Sequence, residues 1–371
     1  MKIGVVVHGP NIIDSGYALT LINLLKEYGD VSARLGGTMG RTAVIDASLE
    51  NVIDISRKLV PSDSLKIFYE DNADAIFLLN YGKSNVTGQV FGYKVYSHYK
   101  EKIPENDIPV IQIERPGEKD GSIIVWNNDL GIVDELSLKL DLAIVTPQEV
   151  YDAHIKQDDA GINQRIVHGV SPGENIMVNS VVIGKTDSDK LTLIAKDNRI
   201  VDIIGGELKQ HGLEKLGEVD LDSAIIKTGL LRHAKVTPRV ITHEKPDEFK
   251  VTFLDHAGED VYKFRDSSLV ITVGDDTTLI SSDILYRFDI PVVGITDGDL
   301  DKVVESGFKV KNSIIFEVES GFDDICGQDI KRIMFDGKQS TCDYSNIEEV
   351  RDKIIEIINN INCKYKINYI N

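Results

Sequence analysis

The first 120 or so residues repeat one unit: a short apolar run, a glycine-bearing polar loop, then a stretch with helical spacing. The apolar runs are Lys2–Val7, Val31–Leu35, Ala75–Leu79 and Pro109–Ile113. They lead into His8-Gly9-Pro10-Asn11, Gly36-Gly37, Asn80-Tyr81-Gly82 and Glu114-Arg115-Pro116-Gly117. Helical spacing follows over Ser15–Tyr28 and Val90–Lys100, while Ala43–Ile55 reads as helix or as helix plus strand. Strands this apolar are buried on both faces, as in a parallel sheet covered by helices. The predicted class is therefore α/β, with an N-terminal open parallel sheet and flanking helices over residues 1–160.

The pattern changes after that point. Asn175–Ile183, Leu191–Ala195 and Ile200–Ile204 read as strands, with a turn at Asn198-Arg199, and Lys209–Gly229 is polar and partly helical. Residues 161–247 are expected to form a small β-rich middle domain. Residues 248–371 return to α/β, with strands at Phe249–Leu254, Leu269–Val273, Pro291–Ile295 and Ser313–Phe316. Helices are expected at Thr278–Phe288 and Leu300–Glu305, and an amphipathic closing helix at Ile347–Ile361. A chain of 371 residues suits two or three domains at roughly 150 residues each.

Charge and cysteine usage narrow the function classes. With 41 basic and 60 acidic residues the net charge is −19, which counts against nucleic acid and anionic membranes as partners. The three cysteines, Cys326, Cys342 and Cys363, are odd in number and lack CxxC spacing, which argues against a disulfide framework and a zinc site. The opening MKIGVVVHGPN reads as a first strand rather than a leader, and no run approaches the roughly 20 apolar residues of a membrane span. A cytoplasmic location is expected, and a homo-oligomer is left open.

In open parallel sheets ligands bind beyond the carboxyl ends of the strands. There the first domain offers Gly9, Gly36, Gly37 and Gly82 for close backbone approach, and Arg41, Lys83 and Arg115 as cations. Together they suit a phosphate or carboxylate, although glycine loops also serve simply to turn a chain. Gly82-Lys83-Ser84 is not a P-loop, and no GxGxxG follows the first strand. His168, His211, His233, His243 and His256 show no i, i+4 ligand spacing, and Trp126 is expected to pack.

The last domain has a different chemistry. Leu269–Val273 leads into Gly274-Asp275-Asp276-Thr277-Thr278, and Pro291–Ile295 into Thr296-Asp297-Gly298-Asp299-Leu300-Asp301. Crowded carboxylates repel, and Mg²⁺ relieves that repulsion, which marks Asp276, Asp297 and Asp299 as metal candidates. The alternative is that these aspartates cap helices and stay in water. The stretch from Gly274 through Pro291-Val292-Val293-Gly294-Ile295 resembles the GGDGT region of the NAD kinase and diacylglycerol kinase superfamily. By that resemblance Asp275 would assist an attacking hydroxyl, with Gly274 and Thr277 near the phosphates. Val273, Asp276 and Thr296 depart from that pattern. Thr296-Asp297-Gly298-Asp299 also resembles the strand-end DxD of Toprim domains, with Asp255 in place of their glutamate.

Segments along the whole chain look like one family: HGPNIIDSG, LGGTMGRTAVIDASLE, the NYGKS loop, IERPG and VGDDTTLISSDILYRFDIPVVGITDGDLD. They resemble an uncharacterised family of methanogenic archaea, which implies an archaeal, anaerobic, cytosolic setting and supplies no activity. The functional expectation is a small phosphate-bearing ligand, nucleotide or coenzyme, bound with Mg²⁺ for phosphoryl transfer or hydrolysis. The alternatives are a non-catalytic nucleotide- or coenzyme-binding sensor or assembly factor, and a Toprim-like nucleic-acid enzyme.

Overall fold

The computed structural model describes residues 1–152, 163–167, 170–179, 181–221, 224–229, 232, 237–241, 246–255, 261–298 and 307–370. The chain divides into two compact units, Met1–Val236 and Thr237–Asn371.

The first unit opens with β1 (Lys2–His8), α1 (Asn11–Asp14), α2 (Tyr17–Leu25), β2 (Asp30–Gly36), α3 (Arg41–Asp46) and β3 (Ile53–Asp54). It continues with α4 (Pro61–Glu70), β4 (Ala75–Asn80), α5 (Asn85–Lys102), β5 (Val110–Glu114), β6 (Ser122–Val125), α6 (Val133–Leu140), β7 (Ala143–Val145) and α7 (Pro147–Val150). These strands form a seven-stranded sheet in the order β3-β2-β1-β4-β5-β6-β7. Every neighbour pair is parallel except β5 with β6. Odd and even strand positions bury against separate layers. Val5, Val7, Phe77 and Leu79 pack with α2, while Val6, Ile76 and Leu78 pack with α4 and α5.

Local chemistry explains where elements depart from the expected bounds. Gly16, at φ 80°, separates α1 from α2, so of the expected Ser15–Tyr28 helix only Tyr17–Leu25 forms, with α1 preceding it. Ala43–Ile55 resolves into the end of α3 and β3. Helix α5 starts five residues before Val90, because the Ser84 hydroxyl accepts the Thr87 N–H at 3.2 Å and caps it.

The rest of this unit is antiparallel β. It contains β8 (Asn163–Val167), β9 (Asn175–Val178), β10 (Val181–Thr186), β11 (Leu191–Lys196), β12 (Arg199–Ile204), β13 (Gly206–Leu208), α8 (Gln210–Leu216) and β14 (Ile226–Thr228). Two sheets, β13-β10-β9-β14 and β12-β11-β8, share a core around Ile176, Ile183, Leu191 and Leu193. The run Asn175–Ile183 is a hairpin rather than one strand: Val178 pairs with Val181, and Asn179 turns at φ 47°.

The second unit contains β15 (Val251–Leu254), β16 (Leu269–Val273), α9 (Asp275–Leu285), β17 (Val292–Thr296), β18 (Ile314–Val318), α10 (Asp323–Phe335), β19 (Ser340–Thr341), α11 (Ile347–Asn360) and β20 (Tyr365–Tyr369). Its order is β19-β15-β16-β17-β18-β20, with four parallel central strands and antiparallel edges. The closing helix α11 buries Val350, Ile354, Ile357 and Ile358, one face at helical spacing, beside Ile330 and Met334 of α10. The expected helix Leu300–Glu305 lies outside the described residues. All three cysteines are free, with Cys326 and Cys363 buried. Among the described residues no helix is long and apolar enough to cross a membrane.

Candidate functional site at the carboxyl edge of the first sheet

In the first unit the strand order reverses between β1 and β4, since β2 lies on one side of β1 and β4 on the other. That switch point is where open α/β sheets leave a crevice. Register sets what lines it. His8 pairs with Gly36 on one side and Asn80 on the other, and Asn80 pairs with Glu114. Residues in register on adjacent parallel strands point to the same face about 4.8 Å apart. The last residues of β1, β4 and β5 therefore form a polar row.

The row is hydrogen-bonded from end to end. His8 Nδ1 lies 2.7 Å from Asn80 Oδ1, and Asn80 Nδ2 donates to Glu114 Oε2 at 2.7 Å. The Gly82 N–H donates to Glu114 Oε1 at 2.7 Å, and Gln112 Nε2 donates to Oε2 at 2.8 Å. Trp126 Nε1 donates to Gln112 Oε1 at 3.2 Å, so the tryptophan both packs and holds the end of the network. Asn80, Gln112 and Glu114 are buried. Helix α5 makes room for them: a Cβ at Gly88 would collide with the Glu114 carboxyl, and one at Gly92 with the Gln112 amide.

Burial pushes the Glu114 carboxyl above the usual range, and the hydrogen bonds from Asn80, Gly82 and Gln112 offset this in part. For His8, burial lowers the imidazole from 6.5 to about 4; the Asn80 hydrogen bond opposes the shift and the charge of Lys227 adds to it. The ring stacks on Phe91 of α5, with centroids 3.9 Å apart and planes 18° from parallel. Its Cδ2–Nε2 edge faces Gly37, whose φ of 92° requires glycine.

The β-rich part of the same unit reaches this edge. Lys83 Nζ, just after β4, contacts both Glu174 carboxylate oxygens at 2.6 and 2.8 Å and Thr228 Oγ1 at 3.4 Å. Burial alone would raise the Glu174 pKa, but the bonds from Lys83, Ser171 and Thr228 bring it below the usual range. Arg232 binds Asp46 Oδ2 at 2.6 Å and Asp14 Oδ2 at 2.8 Å, beside the ends of α3 and α1. Lys227 of β14 stands near His8, and burial together with the nearby Lys58 charge lowers its pKa.

The candidate residues of this unit thus share one sheet edge but not one role. Gly9 and Gly37 have left-handed backbones, and an added Cβ at Gly9 would meet open space. Gly36 and Gly82 are spacing residues, the first against Val6 and Pro61, the second against Gly88. Arg41 is buried at the start of α3. Lys83 is held by Glu174, and Arg115 by Asp120 at 3.0 Å and the Gly82 carbonyl at 2.7 Å, over the Tyr81 ring. In the sequence His8, Asn80 and Glu114 read only as members of strand-end loops, whereas Lys227-Thr228-Gly229, with Arg232 and His233, reads either as an anion site or as an exposed turn. The signal of the first three was positional: each ends an apolar run.

In the second unit β16 and β17 pair in parallel, Val273 opposite Ile295, so Gly274–Thr278 and Asp297 leave the same end of neighbouring strands. Asp275 and Thr277 are buried in the first turn of α9, and Asp276 is half-buried. Asp297 Oδ2 accepts the Gly321 N–H at 2.9 Å, which ties in the loop after β18. Asp323 also comes close, with Oδ2 4.0 Å from where a Cβ on Gly274 would lie. Among the described residues no group of three or more His, Cys, Asp or Glu side chains is placed to hold a metal ion. Asp299, Asp301, His168, His233, His243 and His256 lie outside the described residues.

Strand order defines a multi-domain α/β protein whose first unit has a doubly wound arrangement. The chain belongs to the family described as uncharacterized protein conserved in archaea (DUF2117), whose model matches residues 5–338. It is 46% identical over 378 aligned positions to an uncharacterized protein of Methanocaldococcus jannaschii, covering 99% of each chain. No solved structure matches it.

Proposed function

We propose that the first unit binds a small phosphate-bearing molecule, a nucleotide or a phosphorylated coenzyme, at the carboxyl edge of its parallel sheet. The observation that carries this reading is the strand order, which puts the glycine loop after β1 at the switch point and the loop after β2 on the neighbouring strand, with Gly9 opening onto free space. Lys227 supplies the charge. It forms no ion pair among the described residues, and an anion would relieve its repulsion with Lys58. Lys83 and Arg115, already engaged by carboxylates, fix the loops instead. The setting proposed is cytosolic.

The test is calorimetric titration and thermal denaturation with a panel of nucleotides, phosphorylated coenzymes and inorganic phosphate. A ligand of the native state raises the melting temperature by mass action. Binding is expected to weaken about ten-fold or more in Lys227→Met and to fall with added salt. A panel in which nothing binds, or binding indifferent to Lys227, would sink the proposal.

A further inference from the structure

The row at the switch point fixes the hydrogen-bonding polarity of His8, and with it a second requirement on the ligand. With Glu114 as the acceptor, Asn80 is oriented one way. Its amide nitrogen donates to Glu114 Oε2 at 2.7 Å, which turns its carbonyl oxygen toward His8 Nδ1, also at 2.7 Å. The opposite orientation would set two oxygens against each other across the Asn80–Glu114 contact. An acceptor facing Nδ1 places the proton there, and a neutral imidazole has only one ring proton. Nε2 therefore presents a lone pair. No described group hydrogen-bonds to it; Gly37 lies along that edge, with the ring held by Phe91. A half-buried imidazole that stays neutral forms no ion pair with a phosphate, so that role falls to Lys227. The same Lys227 charge opposes a metal cation at Nε2.

Building on the anion-binding reading above, we propose that His8 Nε2 accepts a hydrogen bond from a hydroxyl or amino group of the ligand. The ligand class is then a phosphate ester that also carries a donor, such as a sugar phosphate or a ribonucleotide, rather than a bare phosphate. Leaving a half-buried acceptor unmet on binding carries a penalty, which makes the donor a point of selection.

Two experiments on the full-length protein test this. The first needs no ligand: ¹⁵N-histidine spectra, with His8 assigned by the resonance lost in His8→Gln. The expected result is the Nδ1–H tautomer at pH 7, unchanged down to pH 5, and loss of that tautomer preference in Asn80→Ala. An Nε2–H tautomer or an imidazolium at pH 7 overturns the inference. The second compares, at pH 8, ribose 5-phosphate and AMP with methyl phosphate, whose dianion has no donor. The hydroxylated esters are expected to bind about ten-fold more tightly, and His8→Phe to remove that preference while methyl phosphate binding persists. Equal binding of all three overturns the donor role and leaves the anion reading standing. Binding by none overturns both.

Discussion

His8 is where local chemistry has the clearest consequence. Its imidazole titrates near 6.5 in the unfolded chain and at about 4 in the fold. Between those values the unfolded chain binds more protons, so stability falls as pH falls through that window. Glu114, whose pKa is raised, works in the opposite direction. The His8 contribution is therefore read as a difference between variants. Urea denaturation at pH 7 and pH 5 is expected to show wild type losing about 2 kcal/mol more than His8→Phe. Equal losses would mean that the imidazole is not held neutral. None of this was legible in the sequence, because Asn80 and Glu114 stand 72 and 34 positions along from their partners in the row. The glycines were legible as a group, but not which of them open space and which only admit neighbours.

At the scale of elements, α5 and the β-rich segment hold the edge in place. Gly88 and Gly92, one turn apart on α5, admit the Glu114 and Gln112 side chains. Gly92→Ala is expected to destabilise by about 1–3 kcal/mol through overpacking, and Gln112→Ala in the same chain to recover part of that. Denaturation of the single and double variants checks the coupling, and additive losses would contradict the contact. Arg232 bridges Asp14 and Asp46, and the Asp46 carboxyl is only 1% exposed. Removing the cation takes a charge partner from that buried carboxylate, so Arg232→Met is expected to destabilise by up to about 3–5 kcal/mol. Asp46→Asn together with Arg232→Met should restore a measurable fraction. The helix that begins at Asn85 was legible only from Val90 onward, since Asn85–Gln89 carries no apolar stripe and its start depends on the Ser84 cap. The edge strands β7 and β20 were not legible: β7 is apolar but only three residues long, and Lys366 and Asn368 interrupt the apolar run of β20.

At the scale of the molecule, the two compact units have separate cores. In the second unit, the first described segment is tied to the turn that follows α9, with the Ile241 N–H donating to the Arg287 carbonyl at 2.7 Å. A fragment spanning Thr237–Asn371 is therefore expected to fold alone. Circular dichroism should show α/β structure and a cooperative thermal transition, and a fragment that melts without cooperativity would rule out an independent core.

The amino-acid sequence by itself determined the α/β class, the parallel strands and the loops at their carboxyl ends. These follow from local periodicity, because an apolar run bounded by glycine declares its burial without reference to the rest of the chain. Only the tertiary structure decided which strands are neighbours, and so which side chains meet. Strand order brings His8, Asn80 and Glu114 into one row, and β14 carries Lys227 to it from more than 200 residues along the chain. It also commits Lys83 and Arg115, which look like free cations in the sequence, to carboxylates that hold the loops. Charge and residue type are local properties, whereas pairing and desolvation are set by neighbours distant in sequence.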